Sequence, residues 1–354
     1  MMSLRRSLFV LVAAPAFLLV ACSGSDAAAS GELSGSLSGT GASFPAPLYQ
    51  AWFKMYHDEV NSGIKVNYDS QGSSKGVRAV IAGTHDFGAS DAAMKDSELA
   101  EVDPQRGMLM LPMTAGAVVV AHNTDIQDLK LDRATLADIF LGKISRWNDP
   151  AIAATNAGTT LPNAKITVVR RSDGSGTTYA FTNHLSAISS EWQSKHGVSK
   201  SVNWFDGALG AKGNEGVTAG ISQNKYSLGY VEFSYADKNN LQTAALQNKA
   251  GKFVKPTIAS FQSALAGDPL PANMRLFVPD PAGDASFPIV TYTWILAYKN
   301  YDDANKVAIL KDVLNWCLTE GQKHSEGQGY VPLPTTVTDK VRAAVNTIKV
   351  TANG

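Results

Sequence analysis

The sequence predicts an α/β protein with about two domains. Short apolar runs with strand character alternate with stretches whose apolar residues recur at helical spacing, which is the pattern of sheets covered by helices. The 354 residues leave room for two cores at roughly 150 residues each. No internal repeat points to a solenoid or a propeller.

The elements follow in chain order. Apolar residues Leu48, Trp52 and Tyr56 predict a helix over 48–56, and the alternation of Ile64, Val66 and Tyr68 predicts a half-buried strand. Val77, Val80 and Ile81 then return to helical spacing. Residues 116–121, Gly-Ala-Val-Val-Val-Ala, form a continuous apolar run and predict a buried strand. Further strands are expected over 166–169, 226–231 and 291–297, and further helices over 136–141, 179–188 and 307–318. Trp147 is expected to be a half-buried anchor or an exposed partner contact.

Charge and the chain start set limits on function. The 31 basic residues balance 31 acidic ones, so no basic field exists to displace counterions, and non-specific nucleic-acid binding is excluded. With 44% apolar residues the chain is not a disordered one. Arg5 and Arg6 precede an apolar stretch over 8–20, which has the layout of an export signal and is short of the ~20 residues of a membrane span. The stretch ends Leu19-Val20-Ala21-Cys22, similar to the bacterial lipobox, so residues 1–21 are expected to be removed and Cys22 to be lipidated. An ordinary signal peptide that happens to contain a Cys is the alternative. Cleavage leaves 29 basic residues against 31 acidic ones. A Ser, Gly and Ala-rich stretch from Ser23 to Gly39 follows and is expected to tether the body, with 22–36 as the tether proper. Cys317, in an apolar window, is expected to be a buried small hydrophobe, with no disulfide framework.

Three segments place small residues where a helix is expected to begin. They are Gly39-Thr40-Gly41-Ala42-Ser43-Phe44-Pro45, Gln71-Gly72-Ser73-Ser74-Lys75-Gly76, and Arg170 to Thr178 with the sequence RRSDGSGTT. Ser43 is expected near a helix cap. Each segment offers backbone N–H groups, a hydroxyl and the positive end of a helix dipole to an oxyanion, and each alone is equally an ordinary helix cap. None ends in Gly-Lys-Ser/Thr and none carries a full dinucleotide fingerprint, which disfavours a nucleotide enzyme. A fourth segment, Asp86 to Ala92, carries Asp91, which is either a surface cap for a helix near Ala92 or a site residue. Facing a fully ionised oxyanion at about 4 Å, Asp91 would cost roughly 4 kcal/mol at an effective dielectric of 20. Phosphate near neutral pH still carries protons that an ionised Asp accepts, whereas sulfate has none.

These four segments, in their order and spacing, resemble the periplasmic phosphate-binding proteins of bacterial phosphate ABC importers (the PstS type). The likeness runs from about Leu37 to Lys349 and includes TLADIFLGKISRWNDPAI, LGAKGNEGV, LGYVEFSYA and LPTTVTDKVRAA. It implies a two-lobed periplasmic-binding-protein fold of type II, each lobe a mixed sheet flanked by helices. Two hinge crossings, near Thr114 and Val290, would join lobe I (37–114 plus 291–354) to lobe II (115–290), with the ligand in the cleft. It further implies that Ser43, Phe44, Ser73, Asp91, Arg171, Ser175, Gly176 and Thr177 bind phosphate, with Asp173 supporting Arg171. Ser43 stands where many relatives carry Thr, and the hydroxyl is retained. The implied partners are inorganic phosphate, a membrane permease and, through Cys22, the membrane. The protein is expected to be a monomer of the periplasm or cell envelope, with no nucleic acid, cofactor, metal or enzymatic activity.

Two other classes compete. An exported phosphoester hydrolase would use Ser73 or Ser175 as nucleophile, but His57, His85, His122, His184, His196 and His324 are scattered and form no metal motif. The same fold with arsenate, sulfate or molybdate as ligand is opposed by Asp91 for sulfate and molybdate, while arsenate is protonated much as phosphate is. A surface scaffold or adhesin with this fold gains some support from the lipobox.

Overall fold

The computed structural model describes residues 33–267 and 269–351. The signal over 1–21, Cys22 and the tether up to Glu32 lie outside the described residues. Among the described residues no helix is long and apolar enough to cross a membrane.

The core is one large mixed sheet. Its main strands are β1 (Gly35–Gly41), β2 (Ile64–Ser70), β3 (Phe87–Ser90), β4 (Met108–His122), β5 (Thr167–Arg171), β6 (Leu209–Ala211), β7 (Ser227–Glu232) and β8 (Val290–Tyr298). They lie in the order β2-β1-β3-β8-β4-β7-β5-β6, with the short strand Gln242–Thr243 beside β4. At one end β1 runs parallel to β2 and β3, and at the other β5 runs parallel to β6 and β7. Two long antiparallel strands join the ends. β4 pairs with β8 through Ala117 and with β7 from Val118, and β8 lies between β3 and β4. All nine residues of β8 are buried, which is why its sequence reads as an apolar run rather than an alternation.

Helices α1 (Ala46–Met55), α2 (Ser73–Ile81), α3 (Gly176–Ile188), α4 (Gly213–Gln223), α5 (Ala304–Cys317) and α6 (Thr335–Asn346) cover the sheet. Those around the site each follow a parallel strand: α1 follows β1, α2 follows β2, α3 follows β5 and α4 follows β6. This places their N-termini beyond the carboxyl ends of the strands, where ligands of open α/β sheets bind. Trp52, Trp147, Trp192 and Trp294 anchor the packing. Each is fully buried, and each indole N–H reaches a backbone carbonyl, at 2.7 Å on Gly321, 2.8 Å on Tyr226, 3.2 Å on Gly197 and 2.8 Å on Met274. Trp147 is therefore a core residue, neither half-buried nor a partner contact.

The Ser/Gly-rich stretch differs from expectation at its end. Residues from Gly35 onward belong to strand β1 rather than to a tether, because their small size is a packing requirement. A Cβ on Gly39 would stand 2.1 Å from the Phe87 ring. Cys317 is buried and free, as its apolar window predicts.

Candidate functional site

Three helix N-termini and the turn after β3 meet at one place. Gly72 is the N-cap of α2, with Ser73 in its first turn; Ser175 caps α3, its hydroxyl accepting from Thr178 N–H at 3.0 Å; and Asn214 lies in the first turn of α4. Their contacts fix the convergence. Gly176 N–H donates to Ser73 Oγ at 3.0 Å, although the two residues are 103 positions apart. Asp91 N–H donates to the same oxygen at 3.2 Å, and the Ser73 hydroxyl donates to Asp91 Oδ2 at 3.4 Å. Ser43 joins through Asn214, whose backbone N–H and side-chain Nδ2 donate to Ser43 Oγ at 3.0 and 2.9 Å.

One cation stands among these groups. Arg171 closes β5 and its guanidinium is gripped by Asp173 through Nε at 2.7 Å and Nη2 at 2.5 Å, while Nη1 donates to Thr177 Oγ1 at 3.3 Å. The paired fork geometry leaves the guanidinium little freedom. Gly213 N–H donates to Asp173 Oδ1 at 3.1 Å, so Asp173 is itself held by the start of α4. Burial pushes the Asp173 carboxyl up, but the hydrogen bonds and charge of Arg171 together with Gly213 N–H outweigh it and hold it below the usual range.

Ser43, Phe44, Ser73, Asp91, Arg171, Ser175, Gly176 and Thr177 are all buried, and Asp173 is partly so. Asp91 is the unusual member. Burial pushes its carboxyl up to about 7, against the opposing pull of the Thr293 hydroxyl bond at 2.8 Å, Arg171 and Ser73. Glycine is required opposite it: a Cβ on Gly176 would lie 2.5 Å from Asp91 Cβ and 2.5 Å from Ser73 Oγ. The start of α3 therefore packs directly against Asp91.

Two local expectations change. The N-cap of α1 is Pro45, with no side-chain cap, and Ser43 faces Asn214 instead of closing that helix. Asp91 caps no helix near Ala92; it is 1% exposed, and the next helix begins at Asp96. Sequence reasoning missed Asn214 and Thr293 as site residues. Asn214 had a signal, since Lys212-Gly213-Asn214-Glu215-Gly216 repeats the design of small residues at a helix start after a strand. Thr293 had none, because it lies inside an apolar strand and reaches Asp91 across 202 positions.

Two buried groups frame the site. Tyr235 and Tyr330 hydroxyls donate at 2.7 Å to the carbonyls of Ser43 and Phe44, pinning that loop. Beneath Tyr330 lies Glu232, fully buried, with its carboxyl pushed up to about 8 by burial. Among the described residues no group of three His, Cys, Asp or Glu side chains could hold a metal ion.

A family model described as a PBP superfamily domain matches residues 26–320. The chain is 45% identical over 312 residues to the phosphate-binding protein PstS of Pasteurella multocida, covering 87% of this chain and 89% of that one. It is 40% identical over 339 residues to PstS of Methanocaldococcus jannaschii, covering 88% and 85%. Among solved structures it is similar to a periplasmic phosphate-binding protein bound with phosphate, with a TM-score of 0.71, 20% identity and coverage of 87% and 93%. It is likewise similar to a phosphate-binding protein of Stenotrophomonas maltophilia, with a TM-score of 0.70, 21% identity and coverage of 88% and 94%. These structural likenesses show a mixed α/β periplasmic-binding-protein fold, and the identities to curated relatives carry the family: the chain belongs to the PstS family of phosphate-binding proteins.

Proposed function

We propose that this protein binds inorganic phosphate between two lobes and delivers it to the permease of a phosphate ABC importer. The observation that carries this reading is the convergence of Ser43, Ser73 and Asp91 from the β1–β3 side with Arg171, Gly176 and Thr177 from the β5 side in one buried place. Phosphate would take Ser43 and Phe44 at the first loop and Ser73 at α2. Ser175, Gly176 and Thr177 at the start of α3 would meet it from the other side, with Arg171 held in line by Asp173. An oxygen of the anion entering between Gly176 and Ser73 replaces their direct bond with one to each.

Lobe I is residues 37–114 plus 291–354 and lobe II is 115–290. The pairing of Thr114 with Thr293 and of Gly116 with Thr291 between β4 and β8 supports crossings near Thr114 and Val290, and the register shift between Thr293 and Trp294 supports a local give in the ladder. An anion that touches both lobes favours the closed arrangement by differential contact, which is what a permease can read. Asp91 supplies selectivity. As a carboxylate it accepts a phosphate proton, and it repels an anion with none. A hydrolase reading finds no histidine or metal cluster at these hydroxyls among the described residues: Ser73 meets only Asp91 and backbone N–H groups, and Ser175 is used as a helix cap. The relatives are named as binding proteins. The protein acts as a monomer in the periplasm or cell envelope, anchored by lipid at Cys22.

Solution scattering with and without phosphate tests the closure. A smaller radius of gyration with phosphate and no change with sulfate is expected, together with lost growth on low phosphate when the protein is deleted. An unchanged envelope with phosphate bound would refute delivery by closure.

A further inference from the structure

A hydroxyl oxygen has two acceptor lone pairs and one proton to give. At Ser43 both lone pairs are filled by Asn214, through its backbone N–H at 3.0 Å and its Nδ2 at 2.9 Å. At Thr177 they are filled by the same Nδ2 at 3.1 Å and by Arg171 Nη1 at 3.3 Å. All four bonds come from groups that can only donate, so each hydroxyl is left with nothing to do but donate its own proton. The two hydrogens of Nδ2 are divided between the two hydroxyls.

The amide of Asn214 cannot reverse this arrangement by flipping. Its Oδ1 accepts the backbone N–H of Glu232 at 3.0 Å, and a backbone N–H has no acceptor role, so the NH₂ end faces Ser43 and Thr177. Asn214 is fully buried, and it joins the loop after β1 to the start of α3. Ser73 shows the same saturation by other means, with Asp91 N–H and Gly176 N–H on its oxygen and Asp91 Oδ2 nearest its proton.

We propose that Asn214 is a positioning residue that turns Ser43 and Thr177 into obligate proton donors, so that they accept only ligand oxygens without a proton and leave Asp91 to take the ligand's proton. This rests on the phosphate reading of the site. The consequence is a division of labour: the hydroxyls read bare oxygens, and the carboxylate reads the P–OH group. Without Asn214, a hydroxyl can rotate and accept from a second P–OH, so the preference for the dianion weakens.

Calorimetric titration of the purified protein with inorganic phosphate from pH 5 to pH 8 tests this, with thermal melting as the check on folding. Asn214→Ala is expected to lose about tenfold or more in affinity at pH 8, two oriented hydrogen bonds being weakened, and clearly less at pH 5, where the ligand carries a second proton. Asp91, Arg171, Asp173, Glu215 and Glu232 face this region in both proteins, so variant and wild type are compared at each pH against the same set of charged neighbours. Asn214→Ser should tilt the profile in the same direction and serves if the alanine variant melts too early. In a Ser43→Ala, Thr177→Val background, Asn214→Ala should cost little further affinity, because no hydroxyl is left to orient. A loss equal at every pH, or a full additional loss in that background, would overturn the proposal and leave Asn214 a structural residue. Wild-type protein that binds no phosphate would instead overturn the phosphate reading itself.

Discussion

Replacing Asp91 by Asn tests the selectivity argument at its source. Asp91 Oδ1 accepts the Thr293 hydroxyl at 2.8 Å, which leaves Oδ2 toward Ser73 and Gly176. A Cβ on Gly176 would stand 2.6 Å from Oδ2, so the start of α3 packs directly against this carboxylate, and about 4 Å is a reasonable separation for an anion bound there. At an effective dielectric of 20 the repulsion of a fully ionised anion is about 4 kcal/mol, or roughly a thousandfold. For phosphate the same carboxylate gains a charge-assisted hydrogen bond worth about 1.5–3 kcal/mol. Asn keeps the size and, with its Oδ1 on Thr293, presents an N–H₂ donor to the ligand. In Asp91→Asn, sulfate affinity is expected to rise by about a hundredfold or more, and phosphate affinity to fall by about tenfold to a hundredfold. Because burial holds Asp91 near 7, the wild-type discrimination against sulfate should also grow from pH 6 to pH 8 as the carboxyl ionises. Calorimetry with each anion reads both effects. A phosphate-to-sulfate ratio that stays the same in the variant would refute the account of Asp91.

Other perturbations test other parts. Gly176→Ala places a methyl group 2.5 Å from Ser73 Oγ and Asp91 Cβ, so it should cost tenfold to about a hundredfold in phosphate affinity through overpacking; unchanged affinity would show that the two sides do not close this far. Asp173→Asn frees the Arg171 fork and should weaken phosphate by about 2 kcal/mol, whereas tighter binding would mean that Asp173 only neutralises Arg171 rather than aiming it. Ligand-free stability should fall between pH 6.5 and pH 8, because Asp91 and Glu232 titrate at about 7 and about 8 when folded, far above their unfolded values. Such groups stabilise the fold fully below the unfolded carboxyl range, and that contribution is lost as pH rises through the folded values. Burial lowers His122 and His184 to about 4, which penalises the fold as pH falls from 6.5 toward 4, so the two effects oppose each other there. Above 6.5 the carboxyls dominate the fading histidine effect, for a net loss of roughly 1–2 kcal/mol by pH 8, and melting of Glu232→Gln should show a shallower decline.

The parts of this molecule legible in the sequence are those whose signal is local. The strand over 64–68, the helix beginning near Ser73 and the helix start within Arg170 to Thr178 follow from alternation, helical spacing and small residues at helix starts. The long strand β4 was only half visible, since Pro112 interrupts the pattern before the apolar run. The structure places Pro112 opposite Trp294, at the register shift, where a missing N–H costs no regular ladder bond. Ser43 looked like a cap because it precedes Pro45, and its true partner Asn214 lies 171 positions away. The overall balance of charge is the least informative feature for this site: net charge governs the long-range field, while the pocket uses N–H groups, hydroxyls and an Arg171 already paired with Asp173.

Selection of a protonated oxyanion at one buried place is tested by direct titration of the wild-type protein with phosphate and sulfate at neutral pH. One phosphate per chain, undisturbed by a large excess of sulfate, is the predicted result. Equal binding of the two anions, or no heat with phosphate, would contradict it.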